Sequence, residues 1–317
     1  MAPCMNDQAV MCKRLQDQQF SIPDLRSFFT YWSETINPRH EELRALLNIY
    51  IDSLYPDNPK KTQKIKATRL DQLACLWWPN TRFEDLCTLS RLMVWLLLWD
   101  DEMDQAAGVE EEEITASQLF REYTLFYVAH SLELPSHVYP GAQSLKRYHF
   151  VERFRPIADA IRGRYDLDQR VLFFREIEFT VAMSEPSNWF TSTTVYPRLG
   201  LSGQSPRGLR EHPLMLELCF ETNLTIALIN DILSLKKEVK SGEVCSLIPL
   251  LVNSGSTLQA AGDRMVLGLQ ACVIRMEQLY WELGLQFEST TALEFAHVCY
   301  TYCAGFLHWR LATRVSD

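Results

Sequence analysis

Long proline-free segments with helical spacing constrain this chain more than any other feature. In 214–235 the apolar residues Leu214, Leu218, Leu224, Leu228, Ile232 and Leu235 recur at intervals of three, four or six, which keeps them near one helical face. The stretches 259–285 and 290–311 are similarly long and free of proline. Pro79, Pro135, Pro140, Pro156, Pro186, Pro197, Pro206, Pro213 and Pro249 punctuate the chain where helices should start or stop. Glycine is scarce at 12 of 317 residues, and the hairpin dipeptides Asn-Gly and Asp-Gly are absent. With 47% apolar residues a deep core is available, and no Pro/Gly/Ser linker, repeat or low-complexity segment divides the chain. The expectation is an all-α protein with one structural domain, in which residues 1–60 pack as an N-terminal segment on a helical domain spanning 61–317.

Charge and cysteine usage narrow the function. A net charge of −9 argues against nucleic acid as a partner. The longest uninterrupted apolar run, Leu92–Trp99, is far short of the ~20 residues that span a bilayer, so no membrane span is expected. Met1–Leu15 has no apolar core of the secretory type. The nine cysteines form no CxxC pair and mostly sit in apolar segments, which points to reduced, buried thiols in a cytoplasmic protein. The seven histidines show no HxxxH or HExxH spacing, and no GxGxxG, Walker-type or GxSxG loop is present.

The chemistry lies in two other places. Residues 230–238 read Asn-Asp-Ile-Leu-Ser-Leu-Lys-Lys-Glu, with Asn230, Ser234 and Glu238 at i, i+4 and i+8. On a helix each step of four drifts by only ~40°, so an amide carbonyl, a hydroxyl and a carboxylate share one stripe. All-oxygen sets suit hard divalent cations, Mg2+ above all. Lys237 beside Glu238 is placed to bind an anion that the metal also holds. The second place is the apolar run that delivers Asp100, Asp101, Glu102 and Asp104 together. Carboxylates crowded at a helix C-terminus repel each other and oppose the dipole, and bound cations are the usual remedy. Asp100 and Asp104 are one turn apart and can share a metal, while the following run Glu110–Glu113 reads as a solvated acidic loop.

The aspartate motif DDxxD (Asp100, Asp101, Asp104) followed about 130 residues later by NDxxSxxKE (Asn230, Asp231, Ser234, Lys237, Glu238) resembles the class I terpene synthases of the microbial type, particularly sesquiterpene cyclases. The resemblance spans roughly residues 65–314 and includes His212-Pro213 before the second motif and Gly305-Phe306-Leu307-His308-Trp309-Arg310-Leu311 near the end. It departs in two places: Arg314 is followed by Val315 where the family has an Arg-Tyr pair, and Ser184 stands where the family's diphosphate-sensing arginine is expected, with Arg175 and Arg198 nearby.

What the resemblance implies is a single-domain isoprenoid-synthase bundle around a central apolar pocket. Asp100, Asp104, Asn230, Ser234 and Glu238 become metal ligands, with Asp100, Asp101 and Asp104 as the catalytic aspartates. Three Mg2+ ions are implied with diphosphate bound. Lys237, Arg314 and Arg175 become diphosphate donors. Trp95, Phe220 and Trp309 become aromatic walls of the pocket, since ring faces attract cations. The implied reaction is ionisation of a linear prenyl diphosphate, farnesyl diphosphate by chain length, and cyclisation of the carbocation. A prenyl-chain-elongating synthase normally carries a second DDxxD cluster, which here is Asn/Ser/Glu. A non-catalytic prenyl-diphosphate binder is the remaining alternative. The relatives also imply a homodimer as the default assembly.

Overall fold

The structure, a computed structural model, describes residues 5–30, 35–106, 111–139, 147–183, 212–242, 244, 246–287 and 290–314. Among these residues every regular element is a helix. In chain order they are α1 (Met5–Leu15), a 3-10 turn (Leu25–Phe28), α2 (His40–Leu54), α3 (Pro59–Ala67), α4 (Leu70–Trp77), α5 (Phe83–Ala106), α6 (Glu111–Ser131), α7 (His149–Glu152), α8 (Arg155–Arg162), α9 (Leu167–Met183), α10 (Pro213–Ser241), α11 (Leu247–Asn253), α12 (Leu258–Gln286) and α13 (Thr290–Arg314). The punctuation follows sequence chemistry. Pro59, Pro156 and Pro213 open helices, where a missing N–H costs nothing. Gly242 ends α10 at φ 85°, a left-handed conformation that a side chain disfavours. The acidic run expected as a loop is corrected in part: Glu111 opens α6.

The chain forms two compact units, Met1–Glu34 with Pro206–Asp317, and Thr35–Ser205. In the first, α10, α12 and α13 pack together around Ile229, Ile232, Leu269, Leu279, Leu283 and Tyr302, each nearly inaccessible. The N-terminal segment is strapped onto this unit. α1 lies against α10 and the 3-10 turn against α13. Phe20 seats on Gly262 so closely that a Cβ there would collide with its ring. Ser21 and Gln259 exchange two hydrogen bonds, at 2.9 and 3.1 Å. Cys75, Cys219, Cys272, Cys299 and Cys303 are buried thiols, as their apolar surroundings lead one to expect. Helix α10 is also long and apolar enough to cross a membrane by length and composition, which an uninterrupted-run criterion overlooks; 72% of that window is buried inside the protein.

The second unit is organised by α5. Trp95 stacks on Phe150 at 6.2 Å and tilts onto Phe154 at 5.0 Å. Trp99 stacks on Phe120 at 5.7 Å and donates from Nε1 to Thr124 Oγ1 at 2.8 Å. Outside this aromatic centre, Asn37 Nδ2 donates to the carbonyls of Trp78 (3.1 Å) and Thr81 (3.0 Å), tying the chain before α2 to the α4–α5 turn.

Candidate metal centre

Helix α10 carries the oxygen stripe as its spacing predicts. Ser234 is buried, and Asn230 and Glu238 are half-buried on either side of it. The Ser234 hydroxyl donates to Glu238 Oε1, and Ser246 Oγ donates to Oε2 at 2.6 Å. The Asn230 amide makes no hydrogen bond among the described residues, and no lysine or arginine among them pairs with Glu238. Lys237 is exposed. A carboxylate held by two hydroxyls, with an amide oxygen available one turn away from the serine, fits a hard divalent cation of the Mg2+ class.

Asp231 lies two turns before Glu238 on nearly the same face of α10 and is engaged by the backbone of α11. It is 3% exposed, and its Oδ2 accepts the Leu247 N–H at 2.9 Å. Burial pushes its carboxyl up to about 6; the Leu247 hydrogen bond opposes the rise and the Glu238 charge adds to it. A carboxyl raised in the folded state contributes stability below its ordinary range near 3.8, and that contribution is lost as pH climbs through about 6. The motif's aspartate is therefore a tether between α10 and α11. Asp231→Ala is expected to cost about 1–3 kcal/mol by orphaning the Leu247 N–H. Asp231→Asn keeps an acceptor without a charge to desolvate and should melt at or above the wild-type temperature. Circular-dichroism melts decide, and an alanine variant that melts like wild type would remove the tether.

Sequence reasoning missed Ser246. A serine ahead of the apolar run Leu247–Val252 reads as a helix N-cap, and its backbone does sit in that position with extended dihedrals. Its side chain makes no cap bond, however, and turns to Glu238 instead.

The first motif lies in the last turns of α5, with the helix continuous from Phe83 through Ala106, so Asp100 and Asp104 fall one turn apart as spaced. The side chains of Asp100, Asp101 and Asp104 lie outside the described residues. Glu102, from the same cluster, is a structural member: its Oε1 accepts from Lys61 Nζ (2.6 Å) and Tyr55 OH (2.8 Å). Trp99 and Met103 are buried on the same turns.

The remaining expected residues are dispersed in character. Arg175 is exposed on α9 and donates from Nη1 to Glu178 Oε2 at 2.5 Å. Arg314 ends α13, and its side chain lies outside the described residues, as do Ser184 and Arg198. Trp95, expected on a pocket wall, is fully buried among Phe150 and Phe154, and its Nε1 meets no hydrogen-bond partner among the described residues. Phe220, expected on the same wall, is 62% exposed on α10. Trp309 is half-buried beside Phe306, at 5.6 Å between ring centroids, with the Arg310 guanidinium 5.9 Å from its ring.

Comparison with known proteins bears on this centre. The family model "Terpene synthase family 2, C-terminal metal binding" matches residues 190–273, which contain the whole stripe on α10. The sesquiterpene cyclase hepA of Aspergillus oryzae is 26% identical, across 98% of this chain and 92% of that protein. The (+)-eremophilene synthase of Gibberella fujikuroi is 25% identical, across 92% and 86%. The fold is shared with hedycaryol synthase (TM-score 0.67, 18% identity, 94% and 99% coverage) and with linalool/nerolidol synthase from Streptomyces clavuligerus, solved with 2-fluorogeranyl diphosphate (TM-score 0.69, 15% identity, 94% and 100% coverage). With the α10 stripe inside the metal-binding match, and an alignment with fungal cyclases over nearly its whole length, this chain is similar to microbial terpene synthases, sesquiterpene cyclases among them.

Proposed function

We propose that the protein is a Mg2+-dependent cyclase that ionises farnesyl diphosphate and closes the resulting carbocation to a sesquiterpene, releasing diphosphate. The observation that carries this reading is the Ser234–Glu238 hydroxyl–carboxylate pair on α10, with the Asn230 amide one turn away making no hydrogen bond among the described residues. In this reading Asn230, Ser234 and Glu238 would hold one Mg2+, and Asp100 and Asp104 would hold further ions, up to three with diphosphate bound. Mg2+ supplies Lewis-acid stabilisation of the charge that builds on the leaving diphosphate. Lys237 and Arg314 donate hydrogen bonds to its oxygens. Arg175 does the same only by giving up Glu178. As the allylic C–O bond breaks, both electrons leave with the diphosphate, and the carbocation must be kept from water until it has closed. An aromatic ring such as that of Trp309 stabilises such a cation by about 0.5–2 kcal/mol when it lies over the ring face.

The test is incubation of the purified protein with C10, C15 and C20 prenyl diphosphates plus Mg2+, followed by analysis of the extracted volatiles. A cyclic C15 hydrocarbon or alcohol from farnesyl diphosphate is the expected outcome. A lengthened prenyl diphosphate would replace this reading with chain elongation, and recovery of intact substrate would replace it with binding alone.

A further inference from the structure

The outer face of α12 and α13 carries a groove of about 360 Å3 that the cyclase reading does not use. Glu277, Tyr280 and Trp281 stand at i, i+3 and i+4 on α12, so their side chains are neighbours on one face. The Tyr280 and Trp281 rings meet at 5.6 Å and 90°, forming two walls of a corner. Tyr300 of α13 lines the groove from across the gap, steadied by an edge contact with Phe29 at 5.7 Å. Met276 and Ala296 supply an apolar floor, and His297 and the two tyrosines are the other titratable groups on the lining. Trp281 is 66% exposed, a large apolar ring left at the surface on this rim.

Glu277 is the odd member of this apolar lining. It makes no hydrogen bond or ion pair among the described residues, and burial pushes its carboxyl above the usual range. A desolvated carboxylate is satisfied by a cation, and ring faces attract cations through their quadrupoles. An inorganic cation finds a single carboxylate here, and a neutral apolar molecule leaves that carboxylate uncompensated. A cation with an apolar skin satisfies both the rings and the charge. We propose that the α12–α13 groove is a binding site for a small organic ammonium ion, with Glu277 as counter-ion and Tyr280, Trp281 and Tyr300 as the aromatic walls. This goes beyond the cyclase reading and does not depend on it.

The test is isothermal titration calorimetry on the full chain without Mg2+, using choline and its neutral isostere 3,3-dimethylbutan-1-ol. Choline is expected to bind saturably, with the isostere about tenfold weaker or worse. Glu277→Gln should weaken choline by about tenfold and Trp281→Ala by more, with Trp281→Phe between wild type and alanine because it keeps a ring face. Equal affinity for the two probes would reduce the groove to an apolar surface. Choline binding that survives both Glu277→Gln and Trp281→Ala would place the cation elsewhere, and no saturable heat in the millimolar range would end the proposal. Because Trp281 is exposed, its variants test the site without a cost to folding.

Discussion

Replacing Glu238 with glutamine should slow diphosphate release from farnesyl diphosphate by about a thousandfold or more, a loss of about 4 kcal/mol of transition-state stabilisation. The carboxylate is the charged member of the α10 stripe, so its neutral isostere removes most of the attraction for a divalent cation while keeping the side chain's length. The fold should barely notice. Glu238 is half-buried and receives two hydroxyl donors, from Ser234 and Ser246, and a glutamine carbonyl oxygen still accepts from one of them. The metal-free variant should therefore melt within about 2 °C of wild type. Release of labelled diphosphate against Mg2+ concentration is the measurement. Turnover within tenfold of wild type at saturating Mg2+ would end the assignment of Glu238 as a metal ligand. Asn230→Ala should behave alike, since its amide makes no hydrogen bond among the described residues that the fold would miss. Ser246→Ala separates positioning from ligation: it removes one donor to Glu238 and should raise the Mg2+ requirement without abolishing turnover.

How much of this was legible in the sequence depends on how local the signal is. Helices α10 and α12 announce themselves through apolar spacing and the absence of internal proline, with Pro213 and Gly242 at the ends of α10 and a Thr257 cap at the start of α12, all properties of a short window. The oxygen stripe is equally local, because i, i+4 and i+8 positions are neighbours on any straight helix. What the sequence withheld is tertiary. DDxxD leaves Glu102 without a role, and nothing near it in sequence says that Lys61 and Tyr55 will claim it. Ser246 carries a legible N-cap pattern and spends its hydroxyl on Glu238, because the α10–α11 turn brings that carboxylate within reach. The exposure of Phe220 was not legible for the same reason: an aromatic next to buried Leu218 and Cys219 can face either way, and it lies 62% exposed.

The largest stability effect expected is at Trp99, the residue immediately before the aspartate motif. Its ring is 1% exposed, stacks on Phe120, and donates to Thr124 between α5 and α6. Trp99→Ala removes the ring, leaves a cavity where α5 meets α6, and should cost about 3–5 kcal/mol. Trp99→Phe is a milder case. Thr124 Oγ1 keeps its own donation to the Phe120 carbonyl at 2.8 Å, so only the indole hydrogen bond and part of the stack are lost, about 1–2 kcal/mol. Trp281→Ala serves as the surface reference and should stay within about 0.5 kcal/mol of wild type. Thermal melts followed by circular dichroism rank the three. If Trp99→Ala melts with the surface variant, the aromatic centre of α5 carries less of the fold than its burial says. If instead it melts early, activity lost in that variant follows from unfolding of the helix that bears Asp100 and Asp104, and ligand substitutions there can be read as chemistry only where the melting temperature holds.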